Sequence, residues 1–130
     1  MRISESLLAY GWTQLNRSRY HTKLLPGADQ TQGITHAIMA FAKSTLFTGD
    51  SSGFTPFEPV STFRNRFSKD TKVMVAIGGW GDTSGFSEGA KTEESRARYA
   101  KNIAMMLNAN GFDGVGTSIA CIPSTHDDVN

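Results

Sequence analysis

The chain has 130 residues, which is enough for one ordinary domain or for part of a larger one. Its 13 basic and 12 acidic residues nearly cancel, and no basic cluster breaks the balance, so we expect no nucleic-acid and no membrane partner. A single cysteine, Cys121, excludes an internal disulfide framework and a multi-cysteine metal site, and we expect no metal and no cofactor.

Three short apolar runs predict strands that are buried on both faces, because none of the runs alternates strictly between apolar and polar residues. The runs cover residues 7–12, 35–42 and 72–79. A buried helix segment is the alternative for each run, but β-branched residues and a terminal glycine pair favour a strand in the third. A fourth apolar segment begins at residues 112–115.

A helical pattern lies between the second and third runs. Pro59 suits the first helical position, because its missing N–H would be unpaired there in any case. Val60, Phe63 and Phe67 then share one helical face. Residues 13–33, between the first two runs, contain no convincing long helix and predict a long loop.

The clearest helix is predicted from about Glu93 to Asn110. Thr92 is the predicted N-cap, and Gly111 can take the left-handed conformation that ends a helix. The predicted apolar stripe consists of Ala100, Ile103, Ala104 and Leu107. Strands that alternate with helices predict repeated βαβ units, and hence an α/β fold with a parallel sheet.

A glycine-rich segment, residues 78–85, follows the third run and raises the question of phosphate binding. A P-loop needs a lysine and a hydroxyl residue after its last glycine, whereas Phe86 and Ser87 follow here. A dinucleotide loop opens directly into a helix, whereas the next predicted helix begins near Glu93. A nucleotide-binding α/β domain is therefore the weakest function considered. The glycines instead predict a backbone that passes close to something bulky.

Aromatic residues gather at the carboxyl ends of the predicted strands, where α/β folds bind ligands. They are Tyr10, Trp12, Phe41 and Trp80. Flat aromatic faces suit the apolar faces of sugar rings, so these side chains, together with Gly78 and Gly79, are the predicted substrate-binding set. A core position is the alternative for Phe41, whereas Trp80 stands beside two glycines and is harder to explain by packing.

Four segments together resemble glycoside hydrolase family 18, the chitinases, and fungal members most. Residues 76–81, Ala-Ile-Gly-Gly-Trp-Gly, resemble the third-strand motif of the family, and residues 34–42 resemble its second strand. Residues 10–12 look like a variant of the first-strand motif, and residues 110–115 are similar to the approach to the catalytic strand. The resemblance covers residues 7–115 in the order and spacing of the family.

The resemblance implies the N-terminal portion of a (β/α)8 TIM barrel, about three and a half of its eight βα units. It implies a partial catalytic domain over residues 1–122. Residues 123–130 are polar and show no pattern, so we expect a disordered tail there. Chitin or a chitooligosaccharide is the implied partner, and an incomplete barrel with two open sheet edges predicts self-association. Members of the family are often secreted. Here Glu5 stands where a signal peptide has its apolar core, so we expect no secretion signal in the chain as written, which would then be cytoplasmic, and the localisation of the protein stays open.

The family motif places acids at four positions of the catalytic strand, and the last is a glutamate that acts as general acid. Mapped onto this sequence, the first acid is Asp113, the sole catalytic candidate, and the other three positions hold Gly116, Ser118 and Ala120. In the family, the aspartate before the glutamate orients the N-acetyl group whose oxygen attacks the anomeric carbon. Ala120 has no proton to give and Ser118 has no charge, so we expect an inactive fragment of a chitinase. A non-catalytic chitin-binding protein is the alternative.

The residue-level resemblance ends at Gly116-Thr117, and three origins are open for residues 116–130. An aspartate codon begins with G and an intron begins with GT, so this pair is what translation from an aspartate codon into a retained intron would give. A frameshift and ordinary divergence are the alternatives. The genomic sequence on both sides of the reading frame would distinguish them.

Overall fold

The computed structural model describes residues 6–10 and 29–120, with side chains described for residues 29–117. Its centre is a four-stranded parallel sheet whose strand order follows the chain order. The strands are β1 (Ser6–Tyr10), β2 (Ile34–Ala42), β3 (Lys72–Trp80) and β4 (Gly114–Ala120). Each predicted apolar run therefore forms a strand, as expected for successive βα units. The predicted tail, residues 123–130, lies outside the described residues.

Helices connect β2 to β3 and β3 to β4, and they cover one face of the sheet. They are a 3-10 helix (Ser44–Phe47), α1 (Val60–Arg64), α2 (Ser84–Ala90) and α3 (Glu93–Asn110). Thr92 caps α3 through a reciprocal capping box with Ser95, and Gly111 ends it at a φ of 80°, as predicted. Pro59 precedes α1 as its N-cap instead of occupying its first helical position, since its ψ of 134° is extended.

The glycine-rich segment leads directly into α2, so the prediction that the next helix begins near Glu93 is wrong. Gly85 and Gly89 both lie within α2. Glycine has a low intrinsic helix propensity, which hides this short helix in the sequence. Contacts with the rest of the fold override that propensity, because both glycines are buried.

The core lies between the sheet and these helices. Val73, Val75 and Ile77 alternate along β3 and are completely buried. They pack against the helical face that the sequence predicts for α1 and the residues after it, which consists of Val60, Phe63 and Phe67. Full burial of an apolar side chain of this size stabilises a fold by about 1.5–3 kcal/mol, so this interface is a main source of stability.

The buried face of α3 is rotated relative to the predicted stripe. Ala100 and Ala104 of that stripe are exposed. The α3 positions that face the core are Tyr99, Asn102, Ile103, Met106 and Leu107. Asn102 is buried although it is polar. Its Nδ2 donates to the carbonyl oxygens of Phe47 and Gly49, at 3.0 and 2.7 Å, and these hydrogen bonds satisfy both the buried amide and the two carbonyls.

The opposite face of the sheet is only partly covered. Ile38 of β2 pairs with Met74 of β3, and both side chains are half-buried. Within residues 6–10 and 29–120, β1 pairs only with β2 and β4 only with β3, so the sheet has two edges and does not close. In the same ranges, every helix is too short or too polar to span a membrane.

Candidate functional site

The carboxyl ends of the parallel strands meet at one edge of the sheet, and four predicted site residues lie there. Phe41 is the penultimate residue of β2, and Gly78, Gly79 and Trp80 end β3. The Trp80 side chain is 84% exposed and the Phe41 side chain is 41% exposed. Phe41 is therefore not a core residue, which settles the alternative that its sequence position left open. Both rings are accessible to a ligand.

The two glycines hold this edge in a conformation that other residues rarely adopt. Gly78 and Gly79 have φ values of 99° and 115°. A Cβ atom on Gly79 would lie 3.2 Å from Cγ of Phe41. The bulky neighbour that the sequence predicts is thus the Phe41 ring of the same chain. Tyr10 ends β1, but its side chain and all of Trp12 lie outside the described residues.

A cavity of about 1100 Å³ lies between the loops that follow β2 and β3, and it is lined by Phe41, Gly78, Gly79 and Trp80. Lys43, Phe54 and Phe57 contribute to its walls. Among the described residues that line the cavity, Asp82 is the one acidic residue. A wide cavity with aromatic walls and few charges suits an extended ligand that has apolar faces.

Ser44 joins the two loops of this edge through both its backbone and its hydroxyl. Its N–H and Oγ donate to Oδ2 and Oδ1 of Asp82, at 2.7 and 2.5 Å. The Gly85 N–H donates to Ser44 Oγ at 3.0 Å, and the Tyr99 hydroxyl donates to the Ser44 carbonyl at 2.9 Å. Burial and the nearby charge of Asp82 raise the pKa of Tyr99 to about 12, so the phenol keeps its donor proton further into the alkaline range than an ordinary tyrosine does.

Asp113, the predicted catalytic acid, lies at the amino end of the sheet. Its N–H donates to the carbonyl of Val73, and its Oδ2 accepts from the N–H of Val73, both at 2.8 Å. Arg64 donates to the same Oδ2 at 2.7 Å, and this hydrogen bond holds the pKa of Asp113 below its usual range. The strand rises by about 23 Å between residues 113 and 120. Asp113 therefore lies about a strand's length from the carboxyl edge, and its catalytic role stays a prediction.

The remaining motif positions follow along β4. Ser118 pairs with Gly78, and Ala120 pairs with Trp80. Gly116 lies two residues before Ser118 and pairs with Ala76 of β3. Ser118 and Ala120 occupy the positions of the aspartate and the glutamate in the family motif. They are therefore level with the predicted binding residues, but neither of them is acidic.

Comparison with known proteins decides the family. A sequence model described as Glycosyl hydrolases family 18 matches residues 8–128, which is most of the chain and extends past Val115. The chain belongs to glycosyl hydrolase family 18. Its described residues thus form the N-terminal portion of a (β/α)8 barrel, with the exposed aromatic residues on the edge where such barrels bind ligands. Among curated protein sequences, none matches this chain at a significant level.

Several solved family structures share this fold. They include an immunomodulatory active chitinase from Trichuris suis, with a TM-score of 0.62 and 23% identity. A chitinase from Rhizomucor miehei has a TM-score of 0.59 and 22% identity, and the chitinase domain of the spore coat protein CotE from Clostridium difficile has 0.59 and 27%. Each match covers 85% of this chain but only 31%, 32% and 28% of the respective structures. The chain therefore spans less than a third of the length of these chitinases.

Proposed function

We propose that this chain binds chitin-type oligosaccharides at its carboxyl edge and does not hydrolyse them by itself. The observation that supports binding is the Trp80 indole, which is 84% exposed beside Phe41 and two glycines. An aromatic face in this position can stack on the apolar face of a sugar ring. The similar structures are chitinases, which supports polymers of N-acetylglucosamine as the ligand class.

The proposed lack of hydrolysis depends on the residue types along β4. A general acid must lie within hydrogen-bond reach of the leaving oxygen, and it contributes about 10²–10⁴-fold to the rate. Ser118 and Ala120 supply no such acid at the level of Trp80. Asp82 does line the cavity, but both of its carboxylate oxygens accept hydrogen bonds from Ser44. Hydrolysis is a second candidate function for a longer form that supplies the remaining barrel units and carries an acid in place of Ala120, since this chain matches only part of each chitinase structure.

Binding is tested by retention of the purified chain on chitin beads. The wild-type chain should be retained, and Trp80→Ala should be retained about fivefold less or not at all, because the stacking surface is lost. Met105→Ala is the matched control, since Met105 is also a large exposed apolar residue but lies on α3, away from this edge. Equal retention of the wild type and Trp80→Ala would contradict the proposal.

Hydrolysis is tested by incubating the chain with a hexamer of N-acetylglucosamine and separating the products. No product should form above the buffer blank, and the Rhizomucor miehei chitinase serves as the positive control. Cleavage by the purified chain at a rate similar to that of the control would show that an acid other than those of the family motif acts here.

A further inference from the structure

We propose that Asp82 and Ser44 are positioning residues that fix the spacing between Trp80 and Phe41. Asp82 lies two residues after Trp80, and Ser44 lies three residues after Phe41. Their paired hydrogen bonds therefore connect the two segments that follow the strand ends bearing the exposed rings. That these rings receive a sugar rests on the proposed function, whereas the link between the loops is a property of the structure alone.

The Trp80 backbone is held by strand pairing with Ala120, but the turn that follows Trp80 has few other anchors. The Trp80 side chain is mostly exposed, and a Cβ atom on the next residue, Gly81, would meet nothing within 4 Å. Gly81 has no side chain to pack, and its φ of 76° lies in the left-handed region that other residues rarely adopt. The Asp82 N–H closes the turn by donating to the Gly79 carbonyl at 3.2 Å. The Asp82 carboxylate is then the first side chain after Trp80 that binds the turn to a separate part of the fold.

Ser44, by contrast, is fixed from several directions. It is completely buried, and its hydroxyl accepts from the Gly85 N–H at the start of α2. Its carbonyl accepts from the Tyr99 hydroxyl of α3. A Cβ atom on Gly85 would lie 2.1 Å from the Ser44 carbonyl carbon, so the backbones are in close contact. Asp82 is therefore bound to a point that two helices hold in place, and its carboxylate transfers that fixed position to the turn after Trp80.

A positioning role differs from a purely stabilising one in what it changes. Loss of a stabilising contact lowers the melting temperature but leaves the geometry of the folded edge unchanged. Loss of a positioning contact lets the turn after Trp80 move in the folded chain, and this weakens a ligand that must meet both rings at a fixed spacing. The motion of the indole is therefore the property that separates the two roles.

The experiment measures indole motion and sugar affinity for the same set of variants. The chain has two tryptophans, so the anisotropy is measured in a Trp12→Phe background, where Trp80 is the sole indole, whereas the sugar titration keeps Trp12 because it belongs to the predicted binding set. In each background we would compare Asp82→Ala, the conservative Asp82→Asn, and Thr92→Ala as a matched control. Thr92→Ala removes the N-cap of α3, about two helical turns before Tyr99, and so destabilises the fold without removing a group that bonds Asp82 or Ser44. The readouts are the time-resolved fluorescence anisotropy of Trp80 and a titration with the hexamer of N-acetylglucosamine, below the melting temperature of every variant.

Asp82→Ala should speed the local motion of the indole and weaken hexamer binding by about fivefold or more. Asp82→Asn keeps one oxygen that can accept from the Ser44 N–H, so it should recover part of the loss. Thr92→Ala should lower the melting temperature without changing either readout. Unchanged anisotropy in Asp82→Ala, or equal changes in Thr92→Ala, would overturn the proposal.

Two further outcomes are also decisive. If Asp82→Ala does not fold, Ser44→Ala removes the shorter of the two hydrogen bonds and should change both readouts in the same direction, and unchanged readouts would overturn the proposal. If the wild-type chain does not bind the hexamer, the proposed function fails. The anisotropy comparison still decides whether Asp82 positions Trp80, because it needs no ligand.

Discussion

Residues at the two ends of β4 have different roles, although one family motif contains them both. Asp113 at the amino end is bound by Arg64 and Val73, whereas Ala120 at the carboxyl end pairs with Trp80. The rise along the strand places these two residues about 23 Å apart. An acid that matches a motif in the sequence can therefore lie far from the carboxyl edge of the sheet, and in this chain it ties the sheet to α1.

Asp113 should stabilise the fold at neutral pH and lose this effect in acid. The hydrogen bond from Arg64 lowers its pKa in the folded chain, whereas the unfolded value stays near the ordinary 3.8. The stabilisation is therefore complete above the unfolded pKa and is lost as the pH falls through the lower, folded pKa. Asp113→Asn should lower the melting temperature at neutral pH, and its difference from the wild type should shrink below about pH 4.

The measurement is thermal unfolding of both chains across that pH range. Asp70→Asn is a suitable control, because Asp70 is an exposed acid in the turn before β3. Its difference from the wild type should stay small at every pH. Since the Arg64 and Asp113 side chains are about a third exposed, added salt should reduce the effect of Asp113→Asn. A melting-temperature difference for Asp113→Asn that does not change with pH would argue against this role.

At the scale of elements, the contact between α2 and the 3-10 helix depends on a glycine. A Cβ atom on Gly85 would lie 2.1 Å from the Ser44 carbonyl carbon, whereas one on Gly49 would meet nothing within 4 Å. Gly85→Ala should therefore lower the free energy of unfolding by about 2 kcal/mol or more, because the helix must move away from Ser44. Gly49→Ala should change it by less than about 0.5 kcal/mol. Urea denaturation measures both, and similar stabilities would show that α2 can shift without cost.

Elements with local signals were predictable from the sequence. The apolar runs predicted the strands, and Thr92 and Gly111 predicted both ends of α3, because capping depends on residues close in the chain. The buried face of α3 was not predictable in the same way. Asn102 is polar, and only the loop carbonyls that reach it in the fold explain why it is buried. The fold class thus followed from local patterns, whereas the orientation of a helix depended on distant contacts.

The candidate site shows the same difference between local sequence signals and distant contacts. Phe41 and Trp80 could be predicted, because the carboxyl ends of parallel strands form the ligand-binding edge of α/β folds. The Ser44–Asp82 pair could not, because its two residues are 38 positions apart in the chain and no sequence motif joins them. A lone acid after a glycine in a turn was the only signal, and such residues are common in turns without any ligand.

At the scale of the whole molecule, we propose that the open sheet causes self-association. Within residues 6–10 and 29–120, β1 and β4 each pair on one side only, and the half-buried Ile38 and Met74 lie on the less covered face. Unpaired strand edges offer N–H and C=O groups to a second copy of the chain. Sedimentation velocity should therefore show oligomers that increase with protein concentration.

A charge on the edge strand should reduce this association. Thr117 is exposed on β4, so Thr117→Lys places a cation where a second copy would pair. Met105→Lys adds the same charge to an exposed position of α3 and should leave the association unchanged. If the wild-type chain sediments as a monodisperse monomer and melts in one sharp transition, the edges are not adhesive and the proposal is wrong.

The order of the strands also bears on how the protein is made. Each described strand pairs with the strand before it in the chain, and none inserts between two earlier strands. A nascent polypeptide therefore never has to open a sheet that has already formed. The strand order thus permits the barrel wall to grow at its free edge in the direction of synthesis.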